Sequence, residues 1–430
     1  MEKIKVGNYR WVVVALLFFA TTINYLDRQI IGLLKPTLES QLHWTEIDYG
    51  RIVTAFTAAY AIGLLIFGNF IDRIGTKLGY TISLIIWSIS AMLHALVKST
   101  FGFGVVRVAL GLGESGNFPA AIKAVAEWFP KRERAFATGI FNSGANIGAV
   151  VAPIIVPWIL GIYGWQMAFL LTGAIGFVWL IFWLIFYEIP SKHKKISDAE
   201  YKFINSYQDE LVVMTGEEKK IKWINLLGVR QTWTFVAGKL LTDPIWYFFL
   251  FWLPSYFSST FNIDLKKPSL PLVIVYSATT IGSIGGGYLS SWLIKRGWPI
   301  FKARKTAMLI FAICVTPIIL ARFATNIWQA VGLIGLAAGA HQAWSATIFT
   351  TASDMFPKRA VSSIVGIGSM AGAVGGIFFP ALIGFILESN KQAGHILVGY
   401  NIIFFICGCA YLLAWVIMHF LSPKMKKVEL

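Results

Sequence analysis

Residues 129–155, FPKRERAFATGIFNSGANIGAVVAPII, are repeated in the second half of the chain as residues 356–382, FPKRAVSSIVGIGSMAGAVGGIFFPAL. The two copies align without a gap at an offset of 227 positions. The matched pairs are Phe129/Phe356, Pro130/Pro357, Lys131/Lys358, Arg132/Arg359, Gly139/Gly366, Gly148/Gly375 and Pro153/Pro380. Because both copies have the same orientation, the repeat predicts two related halves in parallel, an arrangement in which transporters bind substrate near the membrane midplane.

The composition is that of a membrane protein. The 430 residues are 57% hydrophobic and only 13% charged, whereas a soluble domain carries about 25% charged residues. Apolar runs of about 20 residues, enough to cross a bilayer, recur along the whole chain. The composition therefore excludes a large soluble enzyme and predicts a protein that crosses the lipid bilayer many times.

Apolar runs between polar breaks predict twelve membrane spans. They cover residues 9–34, 46–71, 77–98, 101–128, 134–161, 165–187, 230–258, 270–294, 303–322, 327–353, 360–387 and 396–421. Together with the repeat, they predict an all-α membrane protein with two pseudo-symmetric six-helix bundles, residues 1–188 and 230–430. Residues 189–229 are predicted to form a cytoplasmic connecting loop.

The net charge of +16 reflects where the basic residues lie. They occupy short segments between spans without the interleaved aromatic residues of nucleic-acid-binding surfaces, so we expect no nucleic-acid partner. A cytoplasmic N-terminus places most of the 37 Lys and Arg residues inside, as the positive-inside rule requires, and the C-terminus is then cytoplasmic too. Four bases remain within spans: Arg28, Arg107, Lys123 and Lys239.

One loop resembles a motif of the major facilitator superfamily. GNFIDRIGTK, residues 68–77, is similar to the superfamily's gate motif between spans two and three, with Gly68, Asp72, Arg73, Gly75 and Lys77 in place. A degraded copy in the second half, GGYLSSWLIKRG (residues 286–297), has Ser291 in place of the acid. The resemblance implies the twelve-helix facilitator fold, with residues 68–77 at its cytoplasmic gate.

Other segments resemble one branch of that superfamily. NYLDR (residues 24–28), with Arg107 and Glu114 seven residues apart, is similar to the anion:cation symporters. TDPIWYFFLFWLP (242–254) and HQAWSATIFTTASDMFP (341–357) resemble the bacterial hexuronate transporters. The resemblance implies uptake of organic anions across the inner membrane, commonly coupled to protons. We expect a monomer with no cofactor other than the coupling proton.

A polar stripe on the first span is the candidate substrate site. Asn24, Tyr25 and Arg28 share one helical face. A guanidinium binds a carboxylate through two parallel hydrogen bonds, and the other two side chains suit sugar hydroxyls. The family resemblance implies that Arg28, Tyr25 and Tyr60 line the anion site. The alternative is a structural Arg28–Asp27 pair, although adjacent helical residues diverge by about 100°.

Two acids in apolar surroundings are candidates for proton coupling. Burial favours the neutral form of a carboxyl group and a nearby cation favours the charged form. An acid that meets these conditions in turn therefore binds and releases a proton. Asp27 is predicted to face a neighbouring helix, and Glu114 shares a face with Arg107; the resemblance assigns proton coupling to these two acids. The alternative is a static network between spans one and four.

Span seven contains a second charged pair. Lys239 and Asp243 are four residues apart, the spacing of a helical ion pair. Lys239 either anchors the substrate or merely neutralises Asp243. We group Asp243 with the candidate proton-coupling residues. Trp246, one turn further, is a candidate for stacking on the sugar ring. Lys123 is predicted to contact the inner gate or lipid headgroups.

Four uncharged polar residues complete the candidate site. His341 aligns with Glu114 at the repeat offset, which makes it, with Gln342 and Ser345, a candidate for hydroxyl contacts; the alternative is a buried structural histidine. Asn142 in span five is a further candidate contact.

The sequence therefore predicts a proton-coupled symporter for a hexuronate such as glucuronate or galacturonate. An aldonate or glucarate as substrate, or sodium as the coupling ion, are alternatives with the same mechanism. A membrane nutrient sensor and an intramembrane enzyme belong to other classes. The sequence shows no HExxH, GxSxG or P-loop motif and no metal-ligand spacing, so we expect neither enzymatic activity nor a metal site.

Overall fold

The computed structural model describes residues 7–129, 131–205, 223–356, 358–425 and 428, and all regular secondary structure in these residues is helical. Pro130, Pro357 and residues 206–222 of the predicted loop lie outside them. The α-helices are α1 (Tyr9–Leu42), α2 (Glu46–Ile74), α3 (Thr76–Leu93), α4 (Thr100–Glu114), α5 (Asn117–Trp128), α6 (Lys131–Tyr163), α7 (Trp165–Phe186), α8 (Asp198–Asn205), α9 (Trp223–Leu227), α10 (Arg230–Phe251), α11 (Leu253–Phe261), α12 (Leu270–Lys295), α13 (Ile300–Val315), α14 (Ile327–Met355), α15 (Lys358–Gln392) and α16 (Ile396–Leu421).

Each predicted span coincides with helix in the structure, and within the described residues eight helices are long and apolar enough to cross a membrane. Two spans predicted as continuous are interrupted. The span at 101–128 breaks between α4 and α5, where Gly116 has low helix propensity and Pro119 has no N–H to donate. The span at 230–258 breaks at Trp252, just before Pro254 in the first turn of α11.

The chain folds into two compact units. The first is built from the described residues of Met1–Ile30, Ala59–Ala152 and Ile159–Lys219. The second is built from those of Ile31–Ala58, Pro153–Trp158 and Lys220–Leu430.

In the first unit, glycines allow the helices that carry the candidate site to approach closely. A Cβ atom on Gly113 of α4 would lie 2.5 Å from the backbone nitrogen of Trp87 in α3. A Cβ atom on Gly144 of α6 would overlap the carbonyl oxygen of Phe18 in α1. Small residues at such contacts let helix backbones pack closely in a membrane, and here they pair α3 with α4 and α1 with α6.

Glycines also allow close helix packing in the second unit. A Cβ atom on Gly372 of α15 would overlap the carboxylate of Asp243 in α10, and one on Gly282 of α12 would overlap the backbone of Gly339 in α14. The glycine-rich segments of α12 and α15 therefore have a packing role, and Gly372 leaves room for the Asp243 carboxylate.

A buried charge cluster in the second unit links the end of α1, the start of α2 and the end of α15. Lys35 is 1% exposed and lies 2.6 Å from Glu46 and 3.3 Å from Glu39. Glu388 accepts a hydrogen bond of 2.7 Å from the backbone N–H of Glu46. It thus lies at the N-terminus of α2, where the helix dipole favours an acid. Lys391 lies 3.5 Å from Glu39 at the edge of the cluster.

Lys35→Met is expected to destabilise the protein by about 3–5 kcal/mol, because it leaves the Glu46 carboxylate buried without its partner. Lys391→Met is the matched control: its side chain is 44% exposed, and an exposed pair contributes about 0–1 kcal/mol. Thermal unfolding of both variants in detergent measures the difference. Equal midpoints for the two variants would contradict a structural role for the buried pair.

Candidate functional site

The polar stripe of α1 ends in a buried ion pair. Arg28 is 4% exposed and Glu114 is fully buried. Nε of Arg28 donates to Oε2 of Glu114 at 2.9 Å, and Nη2 lies 2.9 Å from the same oxygen. The rings of Tyr25 and Tyr60 lie 4.8 and 4.5 Å from the guanidinium carbon, at cation–π distance. Asn24 accepts a long hydrogen bond of 3.5 Å from Nη2. The structure thus brings four of the predicted residues to Arg28.

Asp27 faces away from this stripe. It is 2% exposed, and the side chains beside it are Thr172 of α7 and Trp87 of α3. Neither carboxylate oxygen makes a hydrogen bond of normal geometry to the part of the chain that the structure describes. The charges that act on Asp27 are those of Glu114 and Arg107. The structural alternative of an Arg28–Asp27 pair is therefore replaced by an Arg28–Glu114 pair.

Arg107 interacts electrostatically with both acids. Its side chain is 1% exposed, and its charge acts on both Asp27 and Glu114. Glu114 is the last residue of α4 and so lies at the negative end of the helix dipole, where cations rather than acids are favoured. Two buried cations, Arg28 and Arg107, compensate for this position.

Two polar residues were missed by the sequence analysis: Asn117 at the helix break and Tyr80 of α3. Asn117, the first residue of α5, accepts a short hydrogen bond from the Tyr80 hydroxyl of α3 and donates to Thr21 of α1 at 3.4 Å. All three side chains are buried. The signal was present, because an asparagine and a proline follow Glu114 within an otherwise apolar span.

Two predicted residues of the first unit lie outside the buried cluster. Asn142 is exposed on α6. Lys123 donates to the carbonyl oxygen of Ile71 at 2.9 Å. A cation at this place also interacts favourably with the C-terminal end of the α2 dipole, and it lies beside the predicted gate motif.

The gate motif forms the turn between α2 and α3. Gly75 has φ of +90°, a conformation that L-residues with a side chain rarely adopt, so the motif requires glycine here. Arg73 is exposed and Lys77 is half-buried. The surroundings of Gly68 and of the Asp72 side chain lie outside the described part of the structure.

Lys77 connects the gate motif to the end of α7. Its Nζ lies 3.0 Å from Oε2 of Glu188. Partial burial disfavours the ionised form of Glu188, but hydrogen bonds from Lys77 and from the Ile189 backbone outweigh it and lower the pKa of Glu188. Thr76 donates to Glu127 of α5 at 2.7 Å. The turn is therefore attached to both α5 and α7.

The second unit contains the predicted pair on α10. Nζ of Lys239 lies 2.6 Å from Oδ2 of Asp243, and it also lies 4.2 Å from the centre of the Phe349 ring. Lys239 is buried, whereas the Asp243 side chain is 24% exposed. The ion pair matches the predicted spacing of four residues.

His341 is held by two aromatic residues. Its ring stacks on Trp246 with a centroid distance of 5.3 Å and an interplanar angle of 3°, and Nδ1 makes a short hydrogen bond with the Tyr411 hydroxyl. One face of Trp246 is therefore occupied. Gln342 and Ser345 are half-buried on α14. Tyr411 was missed, although a buried tyrosine in an apolar span usually finds a hydrogen-bond partner.

Comparison with known proteins decides the family. Residues 17–380 match the model of the Major Facilitator Superfamily. The chain belongs to the major facilitator superfamily. It is 33% identical over 393 residues to the hexuronate transporter of Escherichia coli (strain K12), covering 90% of each chain. It is 36% identical over 285 residues to the galacturonate transporter of Dickeya chrysanthemi, covering 66% of this chain and 82% of that one.

Solved structures show the same facilitator fold. A bacterial homologue of the human lysosomal transporter Spinster, in an inward-facing and occupied conformation, matches with a TM-score of 0.80 at 16% identity, over 99% of this chain and 100% of that one. The protein is thus an all-α, multi-pass membrane transporter for a small molecule with the twelve-span architecture of the superfamily. The predicted fold class and family are confirmed.

Proposed function

We propose that this facilitator is a symporter that carries a hexuronate, such as glucuronate or galacturonate, together with protons. The observation that carries the proposal is the buried Arg28–Glu114 pair, with the guanidinium also flanked by Tyr25 and Tyr60. The similarity to hexuronate and galacturonate transporters supports the substrate class.

The substrate carboxylate and Glu114 compete for one guanidinium. Arg28 holds Glu114 through Nε and Nη2, the edge that a planar guanidinium uses for a carboxylate. A sugar acid that binds this edge must displace Glu114. The displaced acid then lies fully buried at the end of α4, and burial of an unpaired carboxylate is costly. Glu114 therefore takes up a proton when the sugar acid binds.

This competition produces coupling. Since a proton on Glu114 removes the competitor of the substrate, protonation raises substrate affinity, and by linkage the substrate raises proton affinity by the same factor. Asp27 is proposed as the second proton site, because Arg107 acts on both acids. We propose that Arg107 reorients as the two acids exchange a proton. This exchange links the substrate site at Arg28 to the part of α4 that contains Arg107.

The second unit, taken by itself, also contains polar residues of the kind that bind sugars. Trp246, through the ring face not stacked on His341, and the half-buried Gln342 and Ser345 suit hydroxyl and ring contacts. Lys239 and Asp243 form a pair that supplies both a donor and an acceptor. A dual role for Lys239 is tested by Asp243→Asn, which frees the ammonium: tighter hexuronate binding indicates substrate contact.

We place the protein in the inner membrane as a monomer with both termini in the cytoplasm, because this orientation puts most Lys and Arg residues inside. With this orientation, the turn between α2 and α3 faces the cytoplasm. A single cysteine introduced near either terminus is expected to react with an impermeant reagent only after the membrane is opened.

Proteoliposomes with the purified protein are expected to accumulate labelled glucuronate or galacturonate when the outside is acidic. With one proton per sugar, a gradient of one pH unit supports about tenfold accumulation. Replacing sodium with choline is expected to change nothing. Uptake that requires sodium, or that ignores the proton gradient, would contradict the proposed coupling.

A competition panel tests the substrate class. Unlabelled glucuronate and galacturonate are expected to block uptake, whereas an aldonate and glucarate at equal concentration block it less. Stronger competition by the latter two would assign the transporter to another organic anion. Binding of a sugar acid without transport of any would instead indicate a nutrient sensor.

A further inference from the structure

We propose that His94 is a positioning residue for Arg107, and that it holds the guanidinium between Asp27 and Glu114. The proposal rests on the proton coupling proposed above. It concerns a buried titratable side chain that neither the sequence motifs nor the substrate site include.

His94 has one nitrogen bonded and one nitrogen unpaired. The residue is fully buried at the end of α3, and Nδ1 lies 2.7 Å from the carbonyl oxygen of Ser90. A carbonyl oxygen only accepts, so Nδ1 carries the hydrogen and Nε2 of the neutral ring presents a lone pair. Nε2 makes no hydrogen bond of normal geometry within the described chain. A buried polar atom without a partner is uncommon and requires an explanation.

The ring cannot turn away from this position. It stacks on Phe169 of α7 with centroids 4.8 Å apart and an interplanar angle of 14°. Phe103 of α4 closes a second side at 5.7 Å, edge to face. These neighbours are uncharged, and together with the Ser90 bond they fix the direction of Nε2.

Helix register places His94 beside Arg107. α3 and α4 are antiparallel, and Trp87 of α3 packs directly on Gly113 of α4. Seven residues further along α3 is His94, and the same distance back along α4 reaches the turn that contains Arg107. Phe103, which contacts the His94 ring, lies one turn before Arg107. Arg107 is also the charged group that acts on His94.

Arg107 therefore interacts electrostatically with both acids, and helix register puts the His94 imidazole near it. A guanidinium with only Asp27 and Glu114 near it would move to whichever acid is ionised. A neutral acceptor on the His94 side opposes this movement and keeps Arg107 within reach of both acids. His94 thereby sets the relative proton affinities of Asp27 and Glu114 without binding substrate or proton itself.

The test compares His94→Phe and His94→Asn with His94→Gln in proteoliposomes. Phe keeps the ring volume without an acceptor, and Asn retains a donor for Ser90 but does not reach the Nε2 position. Gln places an amide oxygen near that position. For Phe and Asn we expect proton-driven accumulation to fall about tenfold, and the pH optimum to shift by about one unit, a tenfold change in proton affinity. Substrate counterflow, which needs no net proton movement, stays within about twofold.

His94→Gln is expected to restore most of the accumulation and the wild-type pH profile. An unchanged profile for Phe and Asn overturns the proposal. Parallel loss of counterflow and accumulation indicates a merely structural role and also overturns it. Failure of Gln to rescue shows that the acceptor is not the relevant group. If wild-type uptake itself ignores the proton gradient, the proposed function fails instead, so the two failures are distinguishable.

Discussion

Replacing Arg28 by alanine is expected to lower hexuronate uptake at least about 100-fold. The change removes the cation that is proposed to bind the substrate carboxylate, and it leaves Glu114 buried without the Arg28 partner. Truncating one member of a buried charge pair costs about 2–5 kcal/mol, and 100-fold corresponds to about 2.7 kcal/mol. Initial uptake rates in proteoliposomes, with equal amounts of inserted protein, measure the effect.

Two further variants separate binding from folding. Arg28→Lys keeps the charge but lacks the planar fork of the guanidinium, so we expect an intermediate loss. The double variant Arg28→Ala/Glu114→Gln removes both charges of the pair, and is expected to recover thermal stability but not uptake. Arg322→Ala is the matched control, since this arginine is exposed. If Arg28→Ala takes up hexuronate at the wild-type rate, Arg28 does not belong to the substrate site.

The spans and the family could be predicted because their signals are local in the sequence. Hydrophobic length determines which segments cross a bilayer, and the repeat between residues 129–155 and 356–382 is visible without any contact information. The positions of helix breaks were less accessible. Gly116 and Pro119 are tolerated within many membrane helices, because neighbouring groups satisfy the freed backbone atoms, so their presence alone does not predict a break.

The partner of Arg28 could not be predicted from spacing. Helical periodicity shows that Arg28 and Asp27 point in different directions, but it does not show which acid of another helix comes nearest. That depends on the rotation of α1 against α4, and each of these helices packs on a further neighbour, α4 on α3 at Gly113 and α1 on α6 at Gly144. Tertiary packing therefore makes Glu114 the partner of Arg28, and under the proposed function this makes it the competitor of the substrate.

The buried histidines His341 and His94 show the same limit of prediction from sequence. His341 was predicted from the repeat, whereas its partners Trp246 and Tyr411 come from two other helices. His94 carries no motif, and its interest arises only from an unpaired Nε2 next to Arg107. Sequence pattern identifies polar residues in apolar spans; the structure is needed to show which of them are bonded.

Glu114→Gln is expected to abolish proton-driven accumulation while preserving exchange. Glutamine resembles the protonated acid in shape and charge, so Arg28 is permanently available to the substrate. We expect substrate affinity to be equal to or above that of the wild type, and its remaining pH dependence to report Asp27 alone. With a gradient of one pH unit, the internal concentration is expected to fall from about tenfold excess to equality with the outside. Labelled hexuronate counterflow and net accumulation, measured in the same vesicles, separate the two properties.

Asp27→Asn distinguishes one coupling acid from two. If both acids carry protons in turn, Asp27→Asn also loses accumulation and retains counterflow, and its remaining pH dependence reports Glu114 alone. Asp264→Asn, an exposed acid in the loop before α12, is the control and is expected to behave as wild type. Intact accumulation in both Asp27→Asn and Glu114→Gln would mean that the charges near Arg107 form a static network. Loss in Glu114→Gln alone would assign coupling to the acid that Arg28 holds, since only there does the substrate displace a carboxylate.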